Sequence, residues 1–151
     1  MSSADLQTLY QELILDHSRT PEGRGDTSGL AHRSHQINPT CGDEITLGVE
    51  LGAGRVISIT WEGEGCAISQ ASASLLSELA TGLEVPVLHE RIERFREVLR
   101  SRGREELDPE LFGDAVALGG VSRYLARVKC AMLGWVALEH ALESAEGAGR
   151  S

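Results

Sequence analysis

The sequence predicts an α+β fold, a small antiparallel sheet of about three strands packed against helices. Three observations predict it. Between Glu44 and Trp61 apolar and polar residues alternate, the two-residue period of half-buried strands. From Ala67 onward apolar residues recur every three or four positions, the period of helices with one buried face. The strand-like segments come early and the helical ones late, without the strand–helix alternation that a parallel sheet requires. With 151 residues, 41% of them hydrophobic and 25% charged, the chain suits one domain that closes its own core. That domain is expected to span residues 1–145, with 146–151 as a disordered tail.

The opening helix is expected over Ala4–His17, where Leu6, Tyr10, Leu13, Ile14 and His17 form one stripe. Pro21 and three glycines make Ser18–Leu30 an exposed loop. His32–Asn38 reads as a short strand, in which His32 and His35 point to opposite sides. Pro39 ends it, and a turn carries Thr40-Cys41-Gly42-Asp43. In the next strand Ile45, Leu47, Val49 and Leu51 face inward. Gly52-Ala53-Gly54 then turns the chain into a hairpin partner, where Val56, Ser58 and Thr60 alternate against Ile57, Ile59 and Trp61. Gly63-Glu64-Gly65-Cys66 leads into a helix over Ala67–Thr81, striped by Ile68, Ala71, Leu75, Leu76 and Leu79. Helices follow at Val87–Arg100, near Pro109–Leu118 and at Ser122–Ser144, the last striped by Tyr124, Val128, Ala131, Trp135, Leu138 and Leu142.

Composition narrows the function. The formal charge of −9 repels phosphate backbones, which argues against a nucleic-acid partner. The arginines of Arg91–Arg104 alternate with glutamates, as on a solvated helix face. No apolar run is long enough for a membrane span, and the N-terminus lacks the basic-then-apolar pattern of a signal peptide. Three widely spaced cysteines, 41, 66 and 130, suit a cytoplasmic chain with free or metal-bound thiols better than a disulfide scaffold.

Those cysteines carry the chemistry. Cys41 lies in a turn two residues before Asp43, Cys66 opens a helix behind two glycines, and Cys130 sits within the last helix. Zinc takes four thiolate, imidazole or carboxylate ligands, and three Cys plus Asp43 supply that number. Without a C-x-x-C pair, spacing alone favours buried structural cysteines over ligands. Cys66 is the best candidate for a functional thiol, because a helix N-terminus stabilises a thiolate. The Gly63–Gly65 pair reads as turn glycines or as a close backbone approach, not as a phosphate loop.

Asn38-Pro39-Thr40-Cys41-Gly42-Asp43, Gly63-Glu64-Gly65-Cys66-Ala67-Ile68-Ser69 and Arg127-Val128-Lys129-Cys130-Ala131 together resemble the IscU/SufU family of iron–sulfur cluster assembly proteins. The likeness includes Leu15-Asp16-His17 in the opening helix and covers about residues 5–142. Scaffolds of the IscU type carry a His directly before the third Cys and a Leu-Pro-Pro-Val-Lys chaperone motif. Here Lys129 precedes Cys130 and the segment reads Tyr124-Leu-Ala-Arg-Val-Lys129, which is similar to the SufU branch. The extra helices of Pro86–Leu118, between the second and third Cys, also resemble that branch. Leu125 departs from it, where relatives often have Pro.

The resemblance implies a Zn2+ site of Cys41, Asp43, Cys66 and Cys130. It implies a zinc-dependent sulfurtransferase taking persulfide sulfur from a SufS-type cysteine desulfurase, with SufB, SufC and SufD as further partners. It also implies that Cys41 is the sulfur acceptor, freed when a His of the desulfurase replaces it on zinc. Arg127, one turn before Cys130, is placed to neutralise the anionic site or hold Asp43. The alternative is a scaffold that assembles a transient [2Fe–2S] cluster on the same ligands.

Overall fold

A computed structural model of the chain describes residues 3–40 and 42–148, and side chains within 7–40 and 42–146. Helix α1 (Ser3–Arg19) precedes three strands, β1 (His32–Asn38), β2 (Asp43–Gly52) and β3 (Arg55–Glu64). Helices α2 (Ala67–Ala80), α3 (Val85–Leu99), a single turn α4 (Pro109–Phe112), a 3-10 segment (Gly113–Arg123) and α5 (Leu125–Ala148) complete the order. The strands form one antiparallel sheet in the order β1-β2-β3, as the alternation predicts. The expected α+β class stands.

Ile45, Leu47, Val49, Val56, Ile59 and Trp61 supply the buried residues of the sheet. Helix α5 packs against β1 and β2, and α2 packs against α1, α5 and β3. The third strand departs from strict alternation. Glu50 pairs with Ser58 and Leu51 with Val56, so Ile57 is an extra residue in a β-bulge. The bulge inverts the pattern beyond it: Val56 is buried and Ile57 exposed, the reverse of the expected faces.

The loop after α1 is not wholly exposed. Gly25 N–H donates to Trp61 O (2.9 Å), and Trp61 N–H donates to Gly23 O (2.8 Å), which occupies the free edge of β3. Thr27 is buried there, and Arg24 lies 5.6 Å over the Trp61 ring.

Helix α2 is buried nearly all round rather than on one stripe. Ser69, Gln70, Ser72, Ser74 and Ser77 are covered along with Ala71, Ala73, Leu75 and Leu76. Small side chains let neighbouring helices approach. A Cβ at Gly134 of α5 would lie 3.4 Å from Ala73, so the two helices touch nearly backbone to backbone. Ser72 Oγ donates to Ala131 O (2.6 Å) and accepts from Trp135 Nε1 (2.9 Å), so the polar side chains of Ser72 and Trp135 satisfy each other at this crossing. Trp135 also stacks on Phe95 of α3, ring centroids 3.8 Å apart and planes within 5°, with Phe112 tilted against both.

The last helix begins at Leu125, three residues later than expected. The chain winds as a 3-10 segment up to Arg123, and Tyr124 adopts an extended conformation that breaks the path. Tyr124 is therefore exposed, not part of the buried stripe, which starts at Val128. Helix α5 runs on through Ala148, so residues 146–148 are helical rather than a disordered tail. Residues 149–151, and the side chain of Leu6 in the first stripe, lie outside the described residues.

Candidate metal centre

Three of the four expected ligands meet. Asp43 opens β2, Cys66 precedes α2, and Cys130 lies one turn into α5; one ligand atom of each falls within 4.8 Å of the others. Asp43 is 3% exposed and Cys130 is 1% exposed, whereas Cys66 is partly exposed. Cys41, the fourth, lies outside the described residues.

The Asp43 carboxylate is held from one side. Its Oδ1 accepts from the Cys66 backbone N–H (3.1 Å), and its Oδ2 lies 3.5 Å from Cys66 Sγ. A tetrahedral zinc with bonds of about 2.1 Å to oxygen and about 2.3 Å to sulfur sets those two atoms about 3.6 Å apart. The observed spacing matches, and a carboxylate with two sulfurs is a donor set zinc accepts. Cys66 occupies the N-cap position of α2 with extended backbone and makes no side-chain cap bond. Its sulfur therefore sits at the positive end of the helix dipole.

Two glycines shape the approach. A Cβ at Gly65 would lie 2.8 Å from Asp43 Cγ and Oδ1 and 2.4 Å from Ser69 Oγ. Only a residue without a Cβ lets the carboxylate seat here. Gly42 has φ +76°, in the left-handed region, and its N–H donates to Asn38 O (2.8 Å). That turn delivers Asp43 inward, paired with Asn38 across the strands. Sequence reasoning left both readings of Gly65 open; the close approach is what the fold uses.

Ser69 and Ser72 were not singled out from the sequence. Ser69 Oγ donates to Cys66 O (3.0 Å), bracing the turn that carries the thiol. Ser72 ties α2 to Ala131, the neighbour of Cys130, and so fixes the two sulfur-bearing helices against each other. A serine every second or third residue along α2 is their only mark in the sequence, and it gains meaning once the helix is seen to be buried. Arg127 is exposed, and among the described residues its guanidinium makes no ion pair, with Asp43 or any other acid.

Residues 9–131 match the family described as the NifU-like N terminal domain. The chain belongs to that family. It is similar to the zinc-dependent sulfurtransferase SufU of Bacillus subtilis (strain 168), 38% identical over 145 residues, which cover 96% of this chain and 97% of the relative. It is also similar to the iron–sulfur cluster assembly scaffold protein IscU of Streptococcus pyogenes serotype M1, 32% identical over 149 residues, covering 98% and 91%. Among solved structures, a candidate iron–sulfur cluster assembly scaffold protein for the SUF system from Fervidobacterium islandicum AW-1 superposes with a TM-score of 0.75 at 29% identity. That superposition covers 88% of this chain and 96% of the other. The resemblance read from three cysteine motifs thus extends along nearly the whole chain. Among the described residues no helix is long and apolar enough to cross a membrane.

Proposed function

We propose that this chain is a zinc-dependent sulfurtransferase, which accepts persulfide sulfur from a SufS-type cysteine desulfurase for iron–sulfur cluster assembly in the cytoplasm. Cys41, Asp43, Cys66 and Cys130 hold the zinc in this reading, and Cys41 accepts the sulfur. The observation that carries it is the convergence of the Asp43 carboxylate with the sulfurs of Cys66 and Cys130. The likeness to a relative named a zinc-dependent sulfurtransferase supports it, as does Lys129, rather than His, before Cys130.

When bound, zinc would keep its sulfur ligands as thiolates at neutral pH and would add no redox change of its own. The Cys41 thiolate attacks the outer sulfur of the desulfurase persulfide. A sulfur–sulfur bond forms on Cys41, the persulfide bond breaks, and the desulfurase cysteine leaves as thiolate. The outer sulfur keeps its proton, and no external oxidant or reductant is required. Asp43, fixed by the Cys66 N–H, keeps its place while the sulfur chemistry proceeds. Three thiolates and a carboxylate exceed the charge of a dication, and Arg127 offsets that excess when the desulfurase docks. SufB, SufC and SufD are further partners in this scheme.

The test is persulfide transfer from a purified SufS-type desulfurase with cysteine as substrate, followed by alkylation and peptide mass spectrometry. The Cys41 peptide should gain one sulfur atom, and Cys41→Ala should accept none while its circular dichroism is unchanged. Sulfur acceptance by Cys41→Ala at the full rate would overturn the assignment. Iron with acid-labile sulfide, in place of about one zinc per chain, after anaerobic purification would favour the cluster scaffold.

A further inference from the structure

A second group of ligand atoms lies away from the cysteine centre. His17 of α1, Glu78 of α2 and Asp114 of the 3-10 segment each bring one ligand atom within 4.8 Å of the other two. Glu78 lies twelve residues along α2 from Cys66, about 18 Å at helical rise, so the two clusters share no ligand.

The imidazole is oriented from behind. His17 Nδ1 is 2.7 Å from Ser74 Oγ, and the same hydroxyl accepts the Glu22 backbone N–H at 2.7 Å. A serine oxygen has two lone pairs and can accept both N–H groups. Nε2, the other ring nitrogen, lies 3.9 Å from Glu78 Oε2 and carries a lone pair in the tautomer that keeps the proton on Nδ1. Metal-ligating histidines are commonly held this way, the remote N–H given to an oxygen so that the other nitrogen faces the ion. The His17 side chain is only 12% exposed, whereas that of Glu78 is 44% exposed. The nitrogen is thus held in place and the carboxylates are adjustable.

Charge points the same way. Two carboxylates gather at one imidazole, and among the described residues neither has an Arg or Lys within ion-pair distance. An ion with bonds of about 2.0–2.2 Å needs ligand atoms about 3.3 Å apart, so the exposed carboxylates must close by at most about 1.5 Å. One imidazole and two carboxylates suit divalent first-row ions that take nitrogen and oxygen together.

We propose that His17, Glu78 and Asp114 form a second metal site, which binds such a divalent ion and pins α1 to α2 and to the 3-10 segment. The site is independent of the sulfur chemistry, and its test does not use activity.

The full chain, with about one equivalent of zinc already added, is titrated with Mn2+ and followed by amide-resolved NMR. Manganese favours oxygen and nitrogen over thiolate, so it leaves the cysteine centre aside. Paramagnetic broadening should centre on His17, Ser74, Glu78 and Asp114, and exchange of α1 amides should slow. Glu78→Gln and Asp114→Asn, both exposed changes that spare the core, should each weaken binding about tenfold or more. His17→Gln should abolish it. Broadening centred elsewhere, or equal Mn2+ binding by the Glu78→Gln and Asp114→Asn variants, would overturn the site. So would the absence of broadening at millimolar Mn2+.

Discussion

Replacing Gly65 by alanine should damage the cysteine centre without touching a ligand. The added Cβ would sit 2.8 Å from the Asp43 carboxyl carbon and 2.4 Å from Ser69 Oγ, both inside contact distance. Both neighbours are side-chain ends, so the clash is relieved by moving them, and each movement breaks a bond. Asp43 would give up the hydrogen bond from the Cys66 N–H, a charge-assisted contact worth about 1.5–3 kcal/mol. Ser69 would give up its bond to Cys66 O, worth about 1 kcal/mol. The metal-free chain should therefore lose about 2–4 kcal/mol in urea unfolding. Zinc affinity, read by competition with a chromophoric chelator, should fall about 10–100-fold, because the carboxylate is no longer aimed. Gly29→Ala is the control, since nothing lies within 4 Å of its Cβ position, and it should change stability by under about 0.5 kcal/mol. Unfolding and zinc affinity of Gly65→Ala equal to those of Gly29→Ala would refute the claim that the missing Cβ seats Asp43.

Further outcomes are expected from the core and the surface. Ser72→Ala should cost about 1–3 kcal/mol in denaturant unfolding, because it leaves Trp135 Nε1 buried without its acceptor. Phe95→Ala should cost about 3–5 kcal/mol and change the tryptophan emission, since it removes the ring stacked on Trp135. Glu62 accepts hydrogen bonds from the Thr27 N–H and hydroxyl, which hold its carboxyl below the usual range. A lowered folded-state value stabilises above the unfolded value and is lost as pH falls through the folded one. The stability gap between the native chain and Glu62→Gln should thus be full near neutrality and shrink below about pH 4, by urea unfolding at each pH. A gap that stays constant down to pH 2 would contradict it.

What the sequence made legible was local. Ile45, Leu47 and Val49 announce their strand because alternation depends only on neighbours along the chain. The bulge at Ile57 was not legible, since an extra residue shows only when the partner strand is in place. Helix α2 reads as amphipathic because its serines count as polar, yet Ser72 and Ser74 are buried with hydrogen-bond partners on distant elements. Tyr124 fits the helical period of α5 on paper, but the 3-10 segment before it shifts the start of the helix. At the candidate metal centre the three motifs supplied the side chains that meet, Asp43, Cys66 and Cys130. The seating of Asp43 against Cys66 was not legible, because it joins residues 23 apart in sequence through a backbone N–H. Arg127 shows the converse: its place one turn before Cys130 suggested a contact with Asp43, and it lies exposed instead.

Asp43, Cys66 and Cys130 come from a strand and two helices, and α5 follows every other described element in the chain. An unfolded chain holds these three groups as isolated weak donors, so in the reading proposed above a bound ion adds its binding free energy to the stability of the folded chain. A molecule carrying the ion has already docked its final helix. In that reading loading is a late step in maturation, because the site is assembled only once α5 has packed. Conversely, a lesion far from the sulfurs that loosens α5 would first surface as lost metal, before any change in secondary structure.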